Sequence, residues 1–121
     1  MENLSFDAVT NSIISEFKGF MSFEQHKTLG INILQMASQK GVKKVIVDTS
    51  ELQVIPQETQ NWISTTWFPE ANKTGLKAMA FLVPKSVFGK MSTESVNQKA
   101  GNITIQYFEN MSLAKDWIKT V

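Results

Sequence analysis

Over Leu4–Thr10, Leu4, Phe6 and Ala8 alternate with Ser5, Asp7 and Val9 in an imperfect period of two, and Asn11-Ser12 supplies a turn before the apolar start of Ile13–Lys18. This predicts an N-terminal antiparallel hairpin ending at Gly19. Ser22 followed three residues later by Gln25 has the form of a capping box. Beyond it Phe23, His26, Gly30, Ile33, Leu34 and Ala37 share one face of a helix running to about Lys40, with Gly41 as its left-handed C-cap. Val45, Ile46 and Val47 then form an uninterrupted β-branched run, the pattern of a strand covered on both faces, and Asp48 stops it where the chain leaves the sheet.

After the polar loop Ser50–Ile55, Pro56 has the fixed φ of a first helical residue. Trp62, Ile63, Thr66 and Trp67 recur at helical spacing, which predicts a helix ending near Phe68-Pro69, with Glu70–Gly75 as one further turn or a loop. Ala78–Val83 reads as the next strand, terminated by Pro84. Ser92 is the expected cap of a helix over Thr93–Ala100, closed by Gly101, and Ile103–Phe108 is a short strand. Ser112 is the expected cap of a last helix that places Leu113, Trp117 and Ile118 on one face. Strands alternating with helices after a hairpin predict an α/β fold: a mixed, mostly parallel sheet of about five strands packed with about four helices. At 121 residues the chain has the size of one domain, over 1–121, able to bury about two thirds of the surface its unfolded form exposes.

Composition narrows the function classes. Twelve basic against eleven acidic residues leave a net charge of +1, too weak a field to hold nucleic acid. With no cysteine there is no disulfide, no thiolate nucleophile and no cysteine metal site. No apolar run is long enough for a membrane span and the N-terminus has no secretion-signal pattern, so the cytoplasm is the expected location.

In an open parallel sheet, functional groups gather at the carboxyl ends of the strands. Here that edge includes Asp48, Thr49, Ser50, Glu51, Lys85, Ser86, Lys90 and Ser92. Asp48 has no second carboxylate or histidine at a supporting spacing, so its expected role is to accept backbone hydrogen bonds that orient its loop. His26 is the one histidine, falls on the inward or boundary side of the first helix and reads as a satisfied boundary histidine, with no Ser-His-Asp order around it. Gly89-Lys90-Met91-Ser92 resembles the tail of a phosphate-binding loop, but Pro84 stands where the leading glycine belongs and Met91 where Ser or Thr belongs. Trp62, Trp67, Phe68 and Phe88 are large apolar residues expected either in the core or around an apolar pocket. No catalytic residue, metal site or cofactor is expected.

The segment VIVDTSELQVIPQE resembles the central segment of STAS domains, the family of SpoIIAA-like anti-sigma factor antagonists, in which a buried strand ending in Asp leads through a loop to a helix with an Asp-Ser-Ser-Gly phosphorylation motif. The stretch WFPEANKTGLKAMAFLVPKSVFGKMS is also similar to small bacterial proteins of that group. On this resemblance Asp48 matches the strand-ending Asp, Leu52 and Ile55 match apolar loop positions, and Pro56-Gln57-Glu58-Thr59 lies where Asp-Ser-Ser-Gly would be, without the phosphoacceptor serine. Glu58 then stands either as a permanent negative charge in place of a phosphoserine or as a carboxylate that stabilises a first helical turn. The resemblance implies a non-enzymatic protein-binding or regulatory module that meets a protein partner through Asp48, Ser50, Gln57, Glu58, Lys85 and Lys90. The alternative is a carrier or sensor of a lipid-like or other small apolar molecule, walled by Trp62, Trp67, Phe68 and Phe88.

Overall fold

The computed structural model describes residues 3–85, 91–92, 94–95 and 97–121. Strands β1 (Leu4–Asp7) and β2 (Ser12–Glu16) form the expected hairpin, with Asn11 at φ 52° in the turn. Asn is one of the few residues that occupy this left-handed region readily. Helix α1 (Phe23–Lys40) starts in a complete capping box: Ser22 Oγ accepts from Gln25 N at 3.2 Å, and Ser22 N donates to Gln25 Oε1 at 2.8 Å. It ends on Gly41 at φ 65°, as the glycine led one to expect.

β3 (Lys44–Asp48), β4 (Ala78–Leu82) and β5 (Thr104–Phe108) complete one mixed sheet in the order β1-β2-β3-β4-β5. Among the described residues only the hairpin pair is antiparallel. Sequential parallel strands joined by right-handed crossovers carry their connecting helices on one face, and the two apolar clusters agree with this. Val45, Val47, Met79 and Phe81 turn to the side of α1 and the 57–73 helix, whereas Ile46, Ala78, Ala80 and Leu82 turn to the side of the C-terminal helix α4 (Met111–Ile118). The two alanines in β4 keep the sheet surface low under α4, so Ala114 and Ile118 are completely buried.

The segment after β3 differs from the expected single helix. Pro56 is the N-cap, not the first helical residue. From there α2 (Gln57–Trp62) leads into a π-helical turn (Ile63–Trp67) and on into α3 (Phe68–Lys73), so helical backbone passes through Phe68-Pro69 without a break. The physical reason is the proline itself. Its ring would crowd the carbonyl four residues back, at Thr65, and it has no N–H to return; widening the turn just before it removes the crowding. Within the wide turn Phe68 N donates to Ile63 O, and Ser64 and Thr65 hydroxyls bond back to Gln60 O and Asn61 O at 3.0 and 2.7 Å.

Two expected caps are reassigned. Ser92 already has helical backbone, as do Met91, Glu94, Ser95 and Asn97, and its hydroxyl instead accepts from Ile55 N at 3.1 Å. Thr93 and Val96 of the expected 93–100 helix lie outside the described residues, and Ala100 is no longer helical. The last helix is capped by Asn110, whose Oδ1 accepts from Leu113 N at 2.9 Å, and not by Ser112. Among the described residues no helix is long and apolar enough to cross a membrane.

Candidate functional site

Two places stand out: the carboxyl edge of the sheet, and a cavity beneath the π-helical turn. At the edge, β3 ends on Asp48, whose Oδ1 accepts from both Ser50 N at 3.0 Å and Ser50 Oγ at 2.7 Å. This is the loop-orienting role expected for it. Thr49 is buried and its hydroxyl donates to Leu82 O at 2.6 Å, while Lys85 N donates to Ser50 O at 3.1 Å. The loops after β3 and β4 therefore lie side by side. Above them Lys85 pairs with Glu51, both side chains exposed, and the contact with Glu51 raises the lysine pKa above its ordinary value.

A third loop joins this edge. Gly19 N donates to Glu51 O at 2.9 Å and Gln53 N donates to Gly19 O at 3.0 Å, which stitches the end of the hairpin to the loop 49–55. Gly19 has φ 68°, and this left-handed turn carries the chain from β2 toward α1. The stitching leaves Phe20 69% exposed and Val54 40% exposed on neighbouring stretches. Gln57 and Glu58 in the first turn of α2 are exposed as well. Thr59, the fourth residue of the segment in the Asp-Ser-Ser-Gly position, is completely buried, so its hydroxyl is closed to modification in the folded chain. Of the expected partner residues, Asp48, Ser50, Gln57, Glu58 and Lys85 all lie on this edge, and Lys90 lies outside the described residues.

The cavity, of about 70 Å³, lies between α1, the sheet and the π-helical turn. Trp62, Trp67 and Phe68 form one wall, and Phe88, also expected there, lies outside the described residues. The wide turn explains how these three large residues face inward together. In an α-helix, positions five apart diverge by about 140°, whereas the wider π turn narrows that to about 50°. Trp67 and Phe68 are buried and in edge-to-face contact at 5.2 Å, and Trp62, half-buried, meets Phe23 edge-on at 6.2 Å. Trp67 Nε1 donates to Gly30 O at 2.7 Å. A Cβ at Gly30 would come within 3.0 Å of Trp67 Cδ1 and 3.3 Å of the Trp62 ring, so only glycine lets the tryptophans approach α1 this closely.

One turn before Gly30 on α1, His26 is 3% exposed and stacks on Phe17 at 5.5 Å. Burial pushes its imidazole pKa down from 6.5 to about 4, so the ring is neutral at neutral pH. It lies on the inward side of α1, one of the two placements the sequence allows, and lines the cavity, but it is not a satisfied histidine, because its Nε2 is buried with no hydrogen-bond partner. The wall also includes Gly30 and Phe17, which sequence reasoning did not place there. The readable signal was the five-residue spacing of Trp62 and Trp67 ahead of Pro69, which fits a π turn better than an α-helix.

Among the described residues no cluster of His, Asp and Glu could hold a metal ion. No protein-family model matches the chain, and it has no match among curated proteins.

Proposed function

We propose that this chain is a non-enzymatic, STAS-like protein-binding module, and that its partner seats on the carboxyl edge of the sheet. The observation that carries this reading is the pair of exposed apolar side chains, Phe20 and Val54, on stretches stitched together through Gly19 and Gln53. Apolar side chains ringed by polar ones are the usual core and rim of a protein contact. Charges of both signs lie nearby in the sequence: Lys18 is exposed two residues before Phe20, Glu58 is exposed four residues after Val54, and the charge of Glu51 is met by Lys85. The partner surface that fits is an apolar side chain within a polar rim.

The loops that carry these residues are held by backbone hydrogen bonds to one another, so the edge is preorganised and loses little freedom on binding. Glu58 supplies a fixed negative charge where a phosphorylated residue would stand on the STAS resemblance, so the module works without a phosphorylation step. Tagged wild-type chain, recovered from the cells that produce it, is expected to retain a protein partner that Val54→Glu and Glu58→Lys lose with unchanged melting temperatures. Leu113→Glu, on exposed α4 across the sheet, is expected to keep it. Retention by both edge variants, or loss by Leu113→Glu alone, refutes this surface.

A further inference from the structure

Buried polar side-chain atoms in native proteins are paired in the large majority of cases, and an exception at a cavity wall calls for a reason. Among the described residues two such atoms lack partners, His26 Nε2 and Thr59 Oγ1, and of these residues only His26 lines the cavity. The other hydrogen-bonding side chains that line the wall each have a partner: Thr49 Oγ1 donates to Leu82 O, Trp67 Nε1 to Gly30 O, and Asn97 Nδ2 to Tyr107 Oη. Water is a weak match for this space. A buried water needs two to four polar partners, and among the described residues His26 Nε2 is the one unpartnered buried side-chain atom in a mostly apolar wall.

An apolar molecule with one polar atom matches it well. We propose that the cavity is a binding site for a small uncharged apolar molecule with a single hydroxyl or carbonyl oxygen, and that His26 Nε2 is its hydrogen-bond partner. The volume of about 70 Å³ is about half the ~150 Å³ that takes benzene, and a branched molecule of five heavy atoms fills about as much space as benzene, so it enters only when Trp62, half-buried in the same wall, turns aside. π-helical turns recur at functional sites, and this one assembles the tryptophan wall. An anion is disfavoured, because it would need an imidazolium where burial keeps the ring neutral. Thr49, Leu52 and Ile55 of the edge loop line the cavity from within, but neither reading rests on the other.

The test uses the full chain and three ligands of similar shape: isobutanol, its hydroxyl-free counterpart isopentane, and isobutyrate. Binding is followed by the ¹⁵N resonance of His26 Nε2 and by tryptophan fluorescence. Isobutanol is expected to bind at least as tightly as isopentane and more tightly than isobutyrate, and to move the Nε2 resonance. A buried hydroxyl left without a partner would instead weaken binding roughly tenfold or more relative to the alkane. Tighter binding of isopentane, tighter binding of isobutyrate, an unmoved Nε2 resonance, or no binding of any of the three overturns the proposal. His26→Leu is expected to reverse the preference in favour of isopentane; a preference for isobutanol that survives in a folded His26→Leu chain also overturns it.

Discussion

Replacing His26 with leucine should flatten the acid side of the stability curve. In the folded chain the imidazole is pushed down to about 4 by burial alone, against 6.5 for the free group. As pH falls below 6.5 the unfolded chain takes up a proton and the folded chain does not, so stability declines through this window and levels off only below the folded value. The gap between 6.5 and about 4, at ~1.36 kcal/mol per pH unit, sets a ceiling of roughly 3 kcal/mol, of which about 2 kcal/mol is lost by pH 5. Asp7, whose carboxyl is held below its ordinary 3.8 chiefly by the Thr10 hydroxyl, adds its own loss only at lower pH, so it does not blur this window. Urea unfolding at pH 7, 6 and 5, followed by tryptophan fluorescence, measures the decline. His26→Leu should show a decline smaller by about 2 kcal/mol over the same range, and at pH 7 should be as stable as wild type or more so, since it removes an unpaired buried nitrogen. Parallel pH curves for the two chains would refute the assignment of a buried, neutral His26.

Gly30→Ala should destabilise the chain by about 1–3 kcal/mol in thermal or urea unfolding, despite the better helix propensity of alanine, because the new methyl meets Trp67 at 3.0 Å. Thr59→Val should be neutral or stabilising by up to about 1 kcal/mol, since the hydroxyl it removes is completely buried and unpaired. Ser92→Ala leaves Ile55 N without its side-chain acceptor and should cost about 1–3 kcal/mol by the same measurement.

The α1 capping box, the Gly41 cap and the doubly covered β3 were all readable because each depends on residues close in sequence. Ser22, Gln25 and Gly41 form their own local geometry, and the run Val45–Val47 leaves no polar face to expose. The course of the chain through Phe68-Pro69 was not readable in the same way. The local rule that proline ends a helix was overridden by a turn that removes the crowding and by the burial of Trp67, Phe68 and Ala71 in the core. Ser92 misled for a related reason: its hydroxyl serves a backbone N–H 37 residues away, at Ile55, and spacing within its own helix does not reveal that. The edge residues Asp48, Ser50 and Lys85 were legible because strand ends mark the edge. Phe20 and Val54 were not singled out, because their exposure follows from the Gly19 stitch between loops distant in sequence.

The central claim is that a protein partner covers the carboxyl edge, and backbone hydrogen exchange reads it most directly. Exchange of the chain bound to the partner that co-purifies with it, compared with the chain alone, should show new protection over residues 19–22 and 50–58, with α4 and the β1–β2 hairpin unchanged. Protection confined to α4 or the hairpin, or protection nowhere, would contradict the account.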